Sequence, residues 1–393
     1  MASGLVVGQS GGVTPVINAS LAGVIAQAVA EAAIGPIYGM RNGVRGLLER
    51  DLIRLDGLDE GFLQRLRGTP GAWLGSCRYA PDEADLHQLL DTLAGLDVRH
   101  YLYIGGNDSA DTSARLAQLA QAQGRELHVL NVPKTIDNDL PEMDHCPGYA
   151  TAAAYVALCT RLLLLDTRAM RREEPLRVVE VKGRHSGWLT VAAAAFEEPE
   201  SARPLLIYAP EQPLERERVL REVDAALSRA GHALLVVSEH AADAAGRPVG
   251  EGRNVQTDAF GHDDSHGPGA FVQSLLQTDL KVRCRLEVLG AMQKVALLPE
   301  ITLDRDEAFA CGRRAVELAL AGASGRCVTL NREEGAPYRC TLGSTSLDRI
   351  ARSERLLPQV FLSGNTPTPA FHAWVAPLVA EARPFAERLV EGA

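Results

Sequence analysis

The sequence predicts an α/β protein of doubly wound, mostly parallel sheets arranged in two domains. Three observations predict it. Short β-branched runs alternate with segments of helical period. The runs end in glycine-rich or acidic loops, which is where ligands bind in open α/β sheets. A length of 393 residues with 46% hydrophobic content suffices for two ordinary cores.

The first strand is Leu5-Val6-Val7, followed by Gly8-Gln9-Ser10-Gly11-Gly12 and a helical pattern through Ile17, Leu21, Val24, Ile25, Ala28 and Val29. Strand, glycine turn and helix suit phosphate, because Gly11 and Gly12 let backbone amides approach an anion and the helix N-terminus is a positive dipole end. The spacing matches neither the dinucleotide fingerprint nor the Walker loop, so a purely structural tight turn stays open. Arginine-bearing polar loops follow from Met40 to Gly46 and at Gly75-Ser76-Cys77-Arg78. The fork of Arg78 fits phosphate, although surface arginine is common.

Tyr101-Leu102-Tyr103-Ile104 is the next strand, ending in Gly105-Gly106-Asn107-Asp108-Ser109 and a helix to about Gln123. Asn107 or Asp108 can equally be its N-cap. The apolar run Leu127 to Val132 then delivers Pro133-Lys134-Thr135-Ile136-Asp137-Asn138-Asp139. A carboxylate such as Asp137 can take the proton from an attacking hydroxyl. Asp139 can hold a divalent cation, and Lys134 adds a fixed charge for phosphate oxygens. The same composition also suits a polar loop whose Asp and Asn cap a turn.

A helix from Gly148 to Asp166 precedes the strand Arg177 to Val181 and the loop Lys182-Gly183-Arg184-His185-Ser186-Gly187, where His185 reads as an ordinary polar residue. Strands Leu205 to Tyr208 and Ala233 to Glu239 flank a charged helix around Leu214 to Ala230. Asp258 to Gly269, rich in His, Asp and Gly without a defensible metal spacing, reads as a mobile polar loop. Arg283, Arg285 and Lys294 form a basic cluster around a strand at Val288-Leu289. A helix near Arg305 to Ala321, a strand near Cys327 to Leu330 and a proline-punctuated tail with a helix from Ala370 complete the chain.

A formal charge of −10 excludes a general nucleic-acid or anionic-membrane binder, while leaving room for a local cationic pocket. Seven scattered cysteines without C-x-x-C spacing suggest neither a disulfide framework nor zinc, and fit a reducing cytoplasm. Met1-Ala2-Ser3-Gly4 lacks the positive segment of a signal peptide, and apolar runs fall short of the roughly 20 residues of a membrane span.

Five blocks in order resemble the phosphofructokinase family: Gly11-Gly12 with Asn18, Gly105 to Ser109, Pro133 to Asp139, Gly183 to Trp188, and Glu239. The likeness runs from about Leu5 to Leu362. It implies two domains facing across a cleft, the phosphoryl donor on residues 1–150, rejoined by about 293–335, and the sugar phosphate on 151–292, rejoined by 336–393. It implies homodimers or homotetramers, and Mg2+ as cofactor, held by Asn107 and Asp139. Carried over by position, Asp137 is the general base on the 1-hydroxyl of fructose 6-phosphate, with Thr135 beside it and Arg184 at the transition state. Gly11, Gly12 and Arg78 face the donor; Lys182, Gly183, Arg184, Glu239, Arg285, Ala291 and Lys294 face the sugar phosphate.

Relatives that use ATP have glycine at the position of Asp108 and a small residue at that of Lys134; the pyrophosphate-using branch has an acid and a lysine. An anion at Asp108 sits where a nucleotide's α-phosphate must lie. Two unit charges about 4 Å apart at an effective dielectric near 20 repel by roughly 4 kcal/mol, on the order of a thousandfold in affinity. Inorganic pyrophosphate is the implied donor, in a reversible reaction. Lys182, Ala291 and Lys294 depart from the family's Met, His or Tyr, and Arg. Ala291 removes a donor to the distal phosphate, worth about 1.5 to 3 kcal/mol. Two alternatives follow: a different acceptor such as sedoheptulose 7-phosphate, or a non-catalytic sugar-phosphate-binding paralogue, against which retention of both aspartates counts.

Overall fold

The computed structural model describes residues 2–197, 204–250, 256–257, 263–264, 267–296 and 301–384. The strands of the first half are β1 (Ser3–Gln9), β2 (Ile34–Met40), β3 (Leu52–Arg54), β4 (Val98–Gly105) and β5 (His128–Pro133). Those of the second half are β6 (Leu176–Val181), β7 (Leu205–Tyr208), β8 (Ala233–Ser238), β9 (Gln256–Thr257), β10 (Asp263–Asp264), β11 (Cys284–Val288), β12 (Arg326–Arg332) and β13 (Cys340–Ser346). Apart from β9 and β10, which pair with each other, they assemble into a seven-stranded sheet, β13-β12-β5-β4-β1-β2-β3, and a four-stranded sheet, β11-β6-β8-β7. The smaller sheet is parallel throughout, and the larger is parallel except at its two edge pairs.

Alternation along each strand explains why both faces carry helices. Leu5, Val7, Leu102 and Ile104 pack with Leu21, Ile25 and Val316 on one side of the large sheet. Val6, Tyr101 and Tyr103 pack with Leu89, Leu93 and Ala114 on the other. Likewise Val179, Val181 and Val236 face the helix Tyr149–Ala169, whereas Val178, Leu235 and Val237 face the helices Arg216–Ala230 and Pro268–Leu280. Strands buried on both faces read as continuous apolar runs, which is why these four were legible. Each such side chain contributes about 1.5–3 kcal/mol by leaving water.

The connection order reverses between β1 and β4, neighbours in the large sheet whose chain continuations run to opposite edges. Such a reversal opens a crevice at the strands' carboxyl ends. Several particulars differ from the sequence expectations. The chain's return to the large sheet extends through Ser346, because β13 pairs antiparallel with β12 along its length, so 336–346 belongs with the first unit. The stretch expected as a mobile loop, Asp258 to Gly269, lies mostly outside the described residues. Within it 263–264 pairs with 256–257, and a helix starts at Pro268. Among the described residues one helix, Tyr149–Ala169, is long and apolar enough to cross a membrane by length and composition alone; here it is a core element, with Tyr149, Ala153 and Val156 fully buried. The seven cysteines are free thiols.

Candidate active site

Carboxyl ends of strands from both sheets open onto one cavity of about 420 Å³. From the large sheet, β1 leads into Ser10, Gly11 and Gly12, β4 into Gly106, Asn107 and Asp108, and β5 into Thr135, Asp137 and Asp139. From the small sheet, β6 leads into Lys182 and Arg184, and β8 into Glu239 and His240. Arg78, Lys294, Arg352 and Glu354 complete the wall.

At one end the glycine turn is braced rather than open. Gly11 has φ +73°, a left-handed conformation that costs glycine little. Its N–H donates to the Cys77 carbonyl at 3.1 Å, and its carbonyl accepts from Ser76 Oγ at 2.7 Å. Gly11 therefore commits its polar groups to the loop that carries Arg78, and its amide is not available to an anion as the sequence pattern suggested. Lys134 is 3% exposed and does not line the cavity. Its Nζ donates to the Gly12 carbonyl at 2.7 Å, supporting the turn from behind. Burial pushes this ammonium down to about 8, against the pull of Asp137 and Asp139. Asp108, in the first turn of the helix Asn107–Ala122, faces the cavity.

At the centre, Thr135 Oγ1 accepts the Asp137 N–H at 3.1 Å and donates to the Asp139 carboxylate. Ser186 Oγ donates to the Asp137 carbonyl at 3.0 Å, tying the loop after β6 to the loop after β5. Burial pushes the Asp137 carboxyl up to about 7, with Asp139 and Glu239 adding repulsion and Arg184 and Lys182 opposing it. Burial also raises Asp139, against its hydrogen bonds, and Glu354 adds to the rise. A partly protonated carboxyl near neutral pH is suited to proton transfer.

Besides the Thr14 hydroxyl, the buried oxygens Asn107 Oδ1 and Asp139 Oδ1 lack a hydrogen-bond partner here. The Asn107 amide nitrogen donates to the Ser353 carbonyl at 2.7 Å, which leaves the oxygen turned elsewhere. Hard oxygen donors of this kind fit Mg2+, which takes few protein ligands and completes its octahedron with water and phosphate. Among the described residues no group of three or more His, Cys, Asp or Glu is placed to hold a metal, so water and substrate oxygens would complete the shell of a bound Mg2+.

At the far end, Lys182 Nζ and Glu239 Oε2 form an ion pair of 2.8 Å. Gly183 sits at φ +129°, and a side chain there would meet the Ser186 carbonyl at 2.8 Å, so glycine keeps this loop closed. Lys294 Nζ lies 3.9 Å from where a Cβ on Gly12 would stand, so it spans toward the glycine turn as well. Burial lowers its affinity for protons, with Lys182 and Arg78 adding to the effect.

Besides Lys134 and Gly183, which stand behind the wall, two of the expected residues are not brought to this cavity. Arg285 lies near the amino end of β11, the opposite end of the strand from the site, and pairs with Glu174 through Nε at 2.7 Å and through Nη2. Ala291 is exposed in the turn before the short helix Met292–Val295. Among the cavity's charged or titratable residues three escaped the sequence reading: His240, whose ring lies 6.0 Å from that of His185, together with Arg352 and Glu354. The last two sit in an irregular charged stretch after β13 that carries no motif.

The phosphofructokinase profile matches residues 4–319. A protein of Xanthomonas campestris pv. campestris (strain B100), named pyrophosphate--fructose 6-phosphate 1-phosphotransferase, is 36% identical over 97% of this chain and 93% of its own length. A sulfofructose kinase of Alkalicoccus urumqiensis is 32% identical over 95% of this chain and 94% of its own. The crystal structure of a pyrophosphate-dependent phosphofructokinase from Nitrosospira multiformis superposes with a TM-score of 0.87 at 34% identity, covering 96% of this chain and 92% of that one. With these likenesses spanning both sheets and every strand end of the cavity, the chain belongs to the phosphofructokinase family.

Proposed function

We propose that the protein transfers a phosphoryl group reversibly from inorganic pyrophosphate to the 1-hydroxyl of fructose 6-phosphate. The observation that carries this reading is that Asp137 and Asp108 line one cavity together with Gly11 and Gly12, the glycine turn that Lys134 supports. The relatives' names agree with it.

In the forward direction the sugar hydroxyl gives its proton to Asp137 as its oxygen attacks the terminal phosphorus, and the remaining orthophosphate leaves. Thr135 accepts the Asp137 backbone N–H and donates to the Asp139 carboxylate, so its single hydroxyl ties both residues of the loop. Arg184 and Lys294, on the cavity wall, offset charge on the transferring group. When bound, Mg2+ on Asn107 and Asp139 supplies charge neutralisation at the phosphoryl oxygens. Asp108 excludes a nucleotide's additional phosphate by like-charge repulsion. In this reading copies of the chain assemble as a homodimer or a homotetramer.

One observation favours a second acceptor. Lys182 directs its charge at Glu239, so the distal anion of the acceptor meets less positive charge there than a doubly charged phosphate calls for. A sugar sulfonate carries a single negative charge, and one relative is named for sulfofructose. Turnover with pyrophosphate and with ATP, each against fructose 6-phosphate, sedoheptulose 7-phosphate and sulfofructose, separates these readings. Turnover with ATP alone ends the donor assignment, and absence of turnover with every pair supports a binding paralogue.

A further inference from the structure

The bend that separates the two catalytic-loop carboxylates is held from outside its own domain. Asn138, between Asp137 and Asp139, has φ +58°, a left-handed conformation uncommon for a residue with a side chain. Its side chain accepts the Cys146 N–H at 2.9 Å, and its carbonyl is turned toward a single guanidinium, that of Arg355.

Arg355 donates from Nε at 3.2 Å and from Nη2 at 2.9 Å to the Asn138 carbonyl. Its Nη1 donates to the carbonyls of Met143 and Asp144, the latter at 2.6 Å. Its own N–H donates to the Asp139 carbonyl at 2.7 Å, so one residue fixes the peptides on both sides of Asp139. On its other side the guanidinium lies 4.4 Å from the centre of the Trp188 ring, and the Arg355 carbonyl accepts Trp188 Nε1–H at 3.1 Å. Trp188 closes the loop that begins with Lys182 and carries Arg184.

This guanidinium is buried with backbone carbonyls as its hydrogen-bond acceptors, an arrangement that devotes a charged group to geometry. It is not on the cavity wall. A planar fork suits this position, because three convergent carbonyls need donors at fixed angles, which a lysine ammonium cannot reproduce.

We propose that Arg355 is a positioning residue for phosphoryl transfer: it holds the Asn138 bend, and through it the directions of the Asp137 and Asp139 carboxylates, while locking that loop to the loop of Arg184. The inference rests on Asp137 acting as the base. Arg355 touches no substrate in this arrangement, so its loss acts on turnover rather than on binding.

The test compares the full-length wild type, Arg355→Lys and Trp188→Phe with whichever donor and acceptor the wild type turns over. A wild type that turns over no pair overturns the functional reading itself, and is thereby distinguished from failure of this inference. Arg355→Lys keeps the charge and loses the fork. Its kcat should fall about 10- to 100-fold, with both KM values within about threefold and the acid limb of the pH profile unmoved. Trp188→Phe keeps the ring and loses the bond to the Arg355 carbonyl, and should lower kcat about fivefold with KM unchanged. Thermal melts establish the folded fraction. A kcat that falls only in proportion to that fraction, or a rise in KM at constant kcat, overturns the proposal. Where Arg355→Lys does not fold, Trp188→Phe decides alone: an unchanged kcat overturns it.

Discussion

Lys182 and Glu239 follow adjacent parallel strands of the small sheet and meet as a 2.8 Å ion pair on the wall of the cavity. The pair bears on Asp137 from both sides, since Glu239 raises its carboxyl and Lys182 opposes the rise.

Glu239→Gln removes the repulsion and releases the ammonium, and both changes favour the ionised Asp137. With Asp137 as the proposed base, its carboxyl pushed up to about 7, the acid limb of kcat/KM should therefore move to lower pH by roughly one unit. The pH profile measures this independently of any loss in sugar affinity. An unmoved limb would separate Glu239 from the base.

Asp137→Asn should abolish turnover and stabilise the fold under alkaline conditions. The folded carboxyl binds its proton up to about pH 7, the unfolded one only to about 3.8, so the ionised group opposes folding at and above neutrality. The variant should match the wild type near pH 4 and melt a few degrees higher at pH 8. Partial exposure into the cavity keeps the gain small. Scanning calorimetry at the two pH values checks the sign.

How much of this was legible beforehand follows from where the signal lies. Leu5 to Val7, Tyr101 to Ile104, Leu205 to Tyr208 and Ala233 to Ser238 are buried on both faces and so read as apolar runs. β2 carries two glycines and Pro36, and β13 carries Thr, Gly and Ser; both are held by pairing with neighbours, which no local pattern announces. The cavity-lining residues that follow strand ends stood out because chemistry and position coincide there. Arg285 misled because its charge type fitted, while its place at the wrong end of β11 depends on register. Arg352, Glu354 and Arg355 arrive from an irregular segment whose approach to the cavity is purely tertiary.

Lys134→Met removes the bond to Gly12 and leaves the glycine turn without its support. Losing a hydrogen bond from a charged donor costs about 1.5–3 kcal/mol, so KM for pyrophosphate should rise about 10- to 100-fold with KM for the sugar phosphate little changed. Because burial sets Lys134 near 8, the wild-type KM for pyrophosphate should also climb above that pH, and the variant should lack the climb. Equal effects on both substrates would contradict a donor-side role.

Asp108→Gly removes the anion from the first turn of the helix Asn107–Ala122. ATP should then bind more tightly by a factor between about ten and a thousand, the upper figure being the full repulsion of two charges about 4 Å apart. Calorimetric titration with a non-hydrolysable ATP analogue reads the change directly. Unchanged affinity would place donor selection elsewhere in the cavity.

His145 is buried between Asp144 at 3.0 Å and Glu307 at 2.8 Å, joining the loop after β5 to the helix Thr302–Leu320. Burial opposes its charge, but the two carboxylates prevail and push the imidazolium up to about 9. A folded-state value above the unfolded 6.5 means that its stabilisation is complete below pH 6.5 and is lost as pH rises through 9. The swing is on the order of 3 kcal/mol, within the range found for breaking a buried charged network. His145→Gln should be less stable than the wild type at pH 6, and the gap between the two should close by pH 10. Urea denaturation at the two pH values checks it. The wild-type loss between them should exceed that of the variant, and parallel curves would remove His145 from the pH dependence of the fold.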